Sequence, residues 1–166
     1  SGAREHSIAK AIDRSTNSSH IFCLASNMNP GIASLCKEFI VDDFNNPETV
    51  SSYATKNNIS MAIIGPENPL QKGVVDSLWN LGVGVVGPKK DLAQIETSKT
   101  FTRNLLKKYN IPGGPKYKTF KSLDGVKDFL KELDENYVVK FDGLAGGKGV
   151  KVSGDHLASH EEALEY

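Results

Sequence analysis

The sequence predicts an α/β protein whose strands run parallel. Short apolar runs alternate with segments that carry helix start signals, and this order is typical of a parallel, doubly wound sheet. Four of these runs are short and apolar enough to form buried strands. They cover residues 21–24, 39–41, 61–64 and 83–86.

Caps and apolar spacing predict the helices between these strands. The Asn-Pro-Glu segment 46–48 supplies a cap, a first-turn proline and a first-turn acid, which predicts a helix running to about residue 57. Residues 70–81 carry apolar side chains at helical spacing and stop at Gly82, which predicts another helix. We expect Trp79 on this helix to belong to the core.

A second pattern begins after residues 111–115, whose Ile-Pro-Gly-Gly-Pro order cannot continue a helix and is typical of a connector. Pattern alone therefore predicts a domain boundary near this connector. Beyond it we expect a helix capped by Ser122 and another that begins at His160. The strands expected there cover residues 117–120 and 137–139, and one more strand follows a glycine-rich loop.

The charge balance favours small-molecule chemistry. The 20 basic and 20 acidic side chains cancel, so no excess charge attracts nucleic acid, anionic lipid or an acidic partner. Cys23 and Cys36 lack metal-ligand spacing, and we interpret both as buried thiols of a reducing cytosol. No apolar run approaches the roughly 18 residues that a membrane span needs. We therefore expect a cytoplasmic protein that binds neither nucleic acid nor membrane, and the sequence leaves its oligomeric state open.

The glycine-rich segment 138–152 carries the most chemical information. Its glycines let backbone N–H groups approach phosphate oxygens, and its lysines supply the opposing charge. It is not a Walker A loop, because only three residues separate Gly143 from Gly147 and Gly149 stands where Ser or Thr would bind magnesium. A glycine-rich turn between two strands is the kind of flap with which protein kinases cover ATP. A mobile hairpin with solvated lysines is the alternative that this segment leaves open.

Two further segments lie where α/β proteins bind anionic substrates. Residues 2–4 open a turn before a helix, whose N-terminal N–H groups and dipole favour an anion such as a sugar phosphate. Because an apolar strand normally feeds such a turn, we expect one upstream. Glu5 stands where a dinucleotide-binding fingerprint needs glycine, which disfavours a nicotinamide cofactor. Residues 65–67 follow a strand at its carboxyl end, and Glu67 suits either a substrate or the next helix dipole.

Several motifs together resemble one enzyme family. Residues 139–150, Val-Lys-Phe-Asp-Gly-Leu-Ala-Gly-Gly-Lys-Gly-Val, resemble the signature of the phosphoribosylamine–glycine ligases, which are ATP-grasp enzymes. Four other segments are similar to the family's remaining markers in the same order, so the resemblance spans the chain. Thr97, Phe141 and Gly146 depart from the family pattern, and none of these departures removes a charged group. The other segments cover residues 2–6, 65–70, 87–89 and 93–101.

The resemblance implies a Rossmann-like, pre-ATP-grasp domain over residues 1–97, followed by the first, incomplete part of an ATP-grasp domain over residues 98–166. It also implies two binding sites, one in each domain. ATP is expected at Lys99, Lys140, Gly143, Gly146, Gly147, Lys148 and Gly149. Phosphoribosylamine is expected at Gly2, Ala3, Arg4, Glu5, Gly65, Pro66 and Glu67.

The reaction implied by the resemblance is ATP-dependent ligation of glycine to 5-phosphoribosylamine in de novo purine biosynthesis. It gives glycinamide ribonucleotide, ADP and phosphate through a glycyl phosphate intermediate. The ligands of magnesium or manganese are expected downstream of this chain, so we assign no metal ligand or catalytic residue here and expect the chain alone to be inactive. Another ATP-grasp carboxylate–amine ligase and a non-catalytic nucleotide-binding module remain the alternatives.

Overall fold

The computed structural model describes residues 2–17 and 19–166. The chain forms two compact units, Ser1–Ala93 and Gln94–Tyr166. Ser1, which belongs to the predicted opening turn, lies outside the described residues.

The first unit alternates strands with helices, as the sequence predicts. Its strands are β1 (Ile21–Ala25), β2 (Cys36–Val41), β3 (Met61–Ile63) and β4 (Gly84–Val86). Its helices are α1 (Ala3–Asp13), α2 (Pro30–Ala33), α3 (Pro47–Lys56), α4 (Glu67–Lys72) and α5 (Val74–Asn80), and α6 (Lys90–Thr97) begins within it. All the predicted strands of this unit are confirmed, with bounds that differ by a few residues.

Strand pairing in the first unit is parallel. β1 pairs with β2, with Cys23 opposite Phe39, and β3 pairs with β4, with Ala62 opposite Val85. Across the described part of the chain these pairs form separate two-stranded ladders. The α/β class with parallel strands is confirmed. Because ligands of open α/β sheets bind beyond the carboxyl ends of the strands, the segment that follows β3 is suited to binding.

Helix α5 is the centre of the first unit's core. Val74, Val75 and Leu78 are 1%, 0% and 1% exposed. Ala54 of α3 packs in the same cluster as Leu78. A hydrogen bond between the hydroxyls of Ser51 and Ser77, 2.6 Å apart, also joins α3 to α5. The buried face of α5 thus holds the unit together.

The prediction of a helix over residues 70–81 needs two corrections. Gly73 has a left-handed φ of 86°, so it ends α4 and begins α5. Apolar spacing gave no sign of this break, because residues on both sides of it are buried. Trp79 is 48% exposed, so its predicted core position is wrong. The Lys89 ammonium lies 5.3 Å from the Trp79 ring centroid, a cation–π contact on the outer side of α5.

Cys23 and Cys36 are free thiols of intermediate exposure. The prediction that both are buried therefore needs correction. Burial nevertheless raises the pKa of each thiol, to about 11 for Cys36, so neither is activated as a nucleophile.

The second unit places a hairpin beside three helices. Its helices are α7 (Lys99–Lys108), α8 (Val126–Leu133) and α9 (His160–Glu165), and its strands are β5 (Val138–Lys140) and β6 (Val150–Val152). The core contains Leu130, Tyr137, Leu157 and Ala163. The Tyr137 hydroxyl donates to the carbonyl of Ser159 at 3.0 Å, which ties the base of the hairpin to the start of α9.

Two predictions for the second unit are wrong. Residues 117–120 form no strand. Helix α8 begins after Gly125, whose φ is 75°, and not at a Ser122 cap. The Ser122 hydroxyl accepts from the Asp124 amide at 3.3 Å instead, because a serine bonds its own nearby backbone as readily as a helix end.

Candidate functional site

The glycine-rich segment forms the turn of an antiparallel hairpin. β5 pairs with β6, with Lys140 opposite Val150. The Phe141 amide donates to the Gly149 carbonyl at 2.9 Å, so pairing continues to the first residue of the turn. The predicted glycine-rich turn between two strands is confirmed, and the turn covers residues 141–149. We call these residues the glycine loop.

The backbone of the glycine loop requires glycine at particular positions. Gly143, Gly146 and Gly147 have φ values of 129°, 55° and 80°, which side chains of L-residues rarely adopt. A Cβ at Gly149 would lie 2.7 Å from the Ala145 Cβ and 3.1 Å from the Phe141 Cβ. Gly146 and Gly147 are exposed, so the backbone there is open to the phosphate oxygens of a ligand, whereas Gly149 packs inside the loop.

Lys99 contacts the base of the glycine loop. Its ammonium donates to the carbonyl of Gly143 at 2.7 Å. Lys99 is the first residue of α7, which follows the helix cap Ser98. The structure therefore brings two of the predicted ATP-binding residues, Lys99 and Gly143, into direct contact.

Asp142 binds the N-terminus of the same helix. One oxygen of its carboxylate accepts from the Lys99 amide at 2.7 Å and from the Thr100 amide at 3.2 Å. The Ser98 hydroxyl also donates to the carboxylate, at 3.3 Å from its other oxygen. Partial burial raises the pKa of Asp142, but the hydrogen bonds from Thr100, Lys99 and Ser98 outweigh that effect and hold the pKa below its ordinary value.

Sequence reasoning did not single out Asp142 as a site residue. The signal for it was present, because an acid immediately before the loop's first glycine can bind a helix N-terminus such as the one that Ser98 begins. Only the fold shows that these segments meet.

Lys140 and Lys148 are exposed. Val139 packs on the core of the second unit, so its neighbour Lys140 lies on the opposite face of β5. Within residues 2–17 and 19–166, neither ammonium has a hydrogen bond or an ion pair. Both charges are available to an anionic ligand, and their contact with ATP stays a prediction.

The predicted phosphoribosylamine residues come together at the N-terminus of α1. The Arg4 guanidinium lies 3.6 Å from the Glu67 carboxylate and 3.1 Å from that of Glu5. A Cβ at Gly65 would lie 2.7 Å from the Glu5 carboxylate, so only glycine fits there without displacing Glu5. The segment after β3 and the first turn of α1 are therefore neighbours. Pro66 precedes the first residue of α4 at this junction.

Glu5 caps the helix to which it belongs. Its carboxylate accepts from the Gly2 amide at 2.6 Å. Partial burial opposes ionisation of Glu5, but the hydrogen bonds from Gly2 and Arg4 outweigh that effect and hold its pKa below the ordinary value. This carboxylate is thus charged at neutral pH. The first N–H groups of a helix have no acceptor within the helix and favour an anion, and in α1 they include the amides of Ala3 and Arg4.

In the part of the chain that the structure describes, no cluster of His, Cys, Asp or Glu has the composition of a metal site. The described helices are all too short or too polar to cross a membrane.

Comparison with known proteins identifies the family of this chain. A model of the phosphoribosylglycinamide synthetase N domain matches residues 1–96, and a model of the ATP-grasp (A) domain of the same synthetase matches residues 97–166. The chain belongs to the phosphoribosylglycinamide synthetase family. The glycine loop and Lys99 fall in the ATP-grasp match, and the predicted phosphoribosylamine residues fall in the N-domain match.

Relatives within the synthetase family are longer than this chain. A phosphoribosylamine–glycine ligase of Methanosphaera stadtmanae is 47% identical over 166 residues, which cover 100% of this chain and 37% of the relative. A phosphoribosylamine–glycine ligase of Methanobrevibacter smithii is 47% identical over 165 residues, covering 99% of this chain and 37% of the relative. The chain spans about 37% of the length of these curated relatives.

Solved structures agree with the family's fold. A phosphoribosylamine–glycine ligase from Thermotoga maritima matches 99% of this chain and 36% of its own, at 24% identity and a TM-score of 0.71. An N5-carboxyaminoimidazole synthetase from Staphylococcus aureus, complexed with ADP, matches 99% of this chain and 42% of its own, at 15% identity and a TM-score of 0.75. Together they support an N-terminal α/β domain followed by part of an ATP-grasp fold.

Proposed function

We propose that the protein carrying this chain ligates glycine to 5-phosphoribosylamine with ATP, giving glycinamide ribonucleotide, ADP and phosphate. Family membership supports the reaction class. The structural observation that carries the proposal is the contact between the Lys99 ammonium and the Gly143 carbonyl, because it joins a cation to the base of a side-chain-poor hairpin loop. That combination is suited to a triphosphate.

The second unit would hold the nucleotide. Lys99 and Lys140 neutralise phosphate charge, and the glycine loop covers the phosphates with its N–H groups. Lys148 lies within the same loop, is exposed, and adds a further positive charge near the phosphates. Gly146 and Gly147 keep side chains off the exposed surface of the loop that would face the phosphates. Gly149 lets the base of the loop pack closely against Ala145 and Phe141.

The first unit would hold phosphoribosylamine. The sugar phosphate meets the first-turn amides of Ala3 and Arg4, where the helix dipole favours negative charge. The Arg4 guanidinium binds the phosphate, and Glu67 accepts from the amine or the ribose hydroxyls. The remaining predicted residues shape this end of the site, namely Gly2, Glu5, Gly65 and Pro66. Gly65, for example, leaves room for the Glu5 carboxylate.

The proposed chemistry has two steps. A carboxylate oxygen of glycine attacks the γ-phosphorus of ATP, and ADP leaves, which gives glycyl phosphate. The amine nitrogen of phosphoribosylamine then attacks the carbonyl carbon, and phosphate leaves with loss of a proton from the nitrogen. Cationic side chains lower the first barrier because they neutralise charge on the phosphoryl group in the transition state.

The proposal includes three structural expectations. The division between the substrate-binding and ATP-grasp domains falls between residues 97 and 98, and the family matches meet close to this position. The ligands of the divalent cation that accompanies ATP are expected further along the complete protein, as the resemblance to the ligase family implies. The protein acts in the cytoplasm, where thiols such as those of Cys23 and Cys36 stay reduced.

Steady-state kinetics of the complete protein test the proposed function. We expect ADP release that depends on both glycine and phosphoribosylamine. Lys99→Met should lower kcat/KM for ATP by roughly 100-fold, the scale of losing one charge-stabilising group. Lys107→Met is the matched control, since it removes an exposed lysine at the other end of α7.

Three outcomes would contradict this proposal. ADP release with a different carboxylate or amine would favour another ATP-grasp ligase. Tight MgATP binding without turnover of any such pair would favour a nucleotide-binding module. Equal kcat/KM in Lys99→Met and Lys107→Met would remove Lys99 from the site.

A further inference from the structure

Asp142 and Lys99 form a paired arrangement at the base of the glycine loop. The carboxylate of Asp142 accepts hydrogen bonds from two backbone amides of α7, at 2.7 and 3.2 Å. The ammonium of Lys99 donates to the carbonyl of Gly143, the next residue of the loop, at 2.7 Å. Lys99 is thus bonded to two adjacent loop residues: its backbone amide donates to Asp142, and its side chain donates to Gly143. This double attachment restrains both the start of the loop and the lysine.

The arrangement keeps the two opposite charges apart. In the described ranges no ion pair joins Asp142 to Lys99, because the carboxylate is engaged by amide N–H groups. A neutral carbonyl accepts one of the three N–H donors of the ammonium, so Lys99 retains its full charge and two donors. A direct ion pair would have neutralised this charge before any phosphate arrived.

Asp142 also occupies the anion-binding position of α7. The first N–H groups of a helix and its dipole attract anions, and here the Asp142 carboxylate accepts hydrogen bonds from the first two amides of α7. A phosphate group arriving at this region therefore meets the Lys99 ammonium and the loop, and not the helix end.

We propose that Asp142 is a positioning residue, which fixes the base of the glycine loop to α7 and thereby holds the Lys99 ammonium ready for the phosphates of ATP. This inference rests on the proposed function, because it assumes that Lys99 binds ATP. Asp142 itself does not touch the nucleotide. Asp142 affects the affinity for ATP only by positioning Lys99.

A double-mutant cycle tests this route. MgATP dissociation constants are measured by calorimetry for the complete wild-type protein, Asp142→Ala, Lys99→Met and the double variant. We expect Asp142→Ala to weaken binding about tenfold when Lys99 is present and by less than about twofold when position 99 is Met. Asp142→Asn keeps one carbonyl oxygen for the two amides, so its affinity should fall between those of wild type and Asp142→Ala.

Hydrogen exchange of the ligand-free protein provides a second readout. Asp142→Ala should speed exchange of the Lys99 and Thr100 amides, since it removes their acceptor. Asp155→Ala is the control, because it removes an exposed acid from the turn after β6 and should change neither exchange nor affinity. If circular dichroism shows that Asp142→Ala is unfolded, the exchange and the affinity are both measured on Asp142→Asn instead.

The outcomes separate this inference from the proposed function. A wild-type protein that does not bind MgATP contradicts the proposed function and removes the basis of the inference. A wild-type protein that binds, combined with equal losses from the Asp142 substitution in both backgrounds, overturns the positioning role alone. Unchanged exchange at Lys99 and Thr100 would overturn it as well.

Discussion

Gly149→Ala should open the hairpin at the base of the glycine loop. The added Cβ would lie 2.7 Å from the Ala145 Cβ and 3.1 Å from the Phe141 Cβ, whereas carbon atoms prefer separations of about 3.5–4.0 Å. Both neighbours are Cβ atoms fixed by the backbone, so no rotamer change relieves the contact. The loop must shift by roughly 1 Å, and overpacking of this kind costs about 1–3 kcal/mol. The Phe141–Gly149 hydrogen bond of 2.9 Å lies at the same point.

Amide exchange measures this opening directly. A cost of about 1.4 kcal/mol corresponds to tenfold faster exchange of the Phe141 amide, and we expect at least that change together with weaker MgATP binding. Gly114→Ala is the control, because its new Cβ would meet only the end of the flexible Arg103 side chain, at 3.2 Å. Wild-type protection of Phe141 in Gly149→Ala would refute the argument, and so would an equal effect of Gly114→Ala.

Three further predictions concern the first unit, and each is measured by urea unfolding with Trp79 fluorescence. Hydrogen bonds from Gly2 and Arg4 hold the pKa of Glu5 below its ordinary 4.5, so Glu5 stabilises the fold above pH 4.5 and loses that contribution as the pH falls below 4.5. Glu5→Gln should flatten the pH dependence in this acidic window, and an unchanged slope would contradict it. Gly73→Ala should lower the free energy of unfolding by about 1–2 kcal/mol because φ is 86° there, and no loss would argue against the left-handed break. Leu78→Ala should cost about 2–5 kcal/mol, since Leu78 is 1% exposed, and a loss below 1 kcal/mol would place it outside the core.

Local sequence signals predicted the elements whose stability depends on neighbours in sequence. Apolar runs predicted the strands of the first unit, and the Asn-Pro-Glu segment 46–48 predicted the start of α3, where the Asn46 side chain accepts from the Glu48 amide at 2.9 Å. Glycines between two apolar runs predicted the β5–β6 hairpin. In each case the physical cause lies within a few residues, so a pattern can report it.

Features that depend on contacts between distant segments escaped prediction. Asp142 and the Lys99 amide are 43 residues apart in sequence, and no periodicity links them. The exposed position of Trp79 follows from which face of α5 packs on α3, and this is a property of the fold. Ser122 is a residue type that often caps helices, but α8 starts directly after Gly125, whose left-handed backbone turns the chain into the helix.

The sequence placed the members of each candidate site in separate motifs, and the structure brings some of them together. Arg4 and Glu67 were assigned to one site from separate motifs, and the structure brings them to 3.6 Å. Lys99 was assigned with the glycine loop and contacts it at 2.7 Å. Lys140 and Lys148 are exposed, and their contact with ATP stays a prediction.

The most direct test of the account is a hydrogen-exchange footprint of MgATP on the complete protein. The account predicts that MgATP slows exchange across residues 141–149 and at the N-terminus of α7, and that Lys99→Met abolishes this protection at the same nucleotide concentration. Protection confined to other segments of a protein that binds MgATP would contradict it.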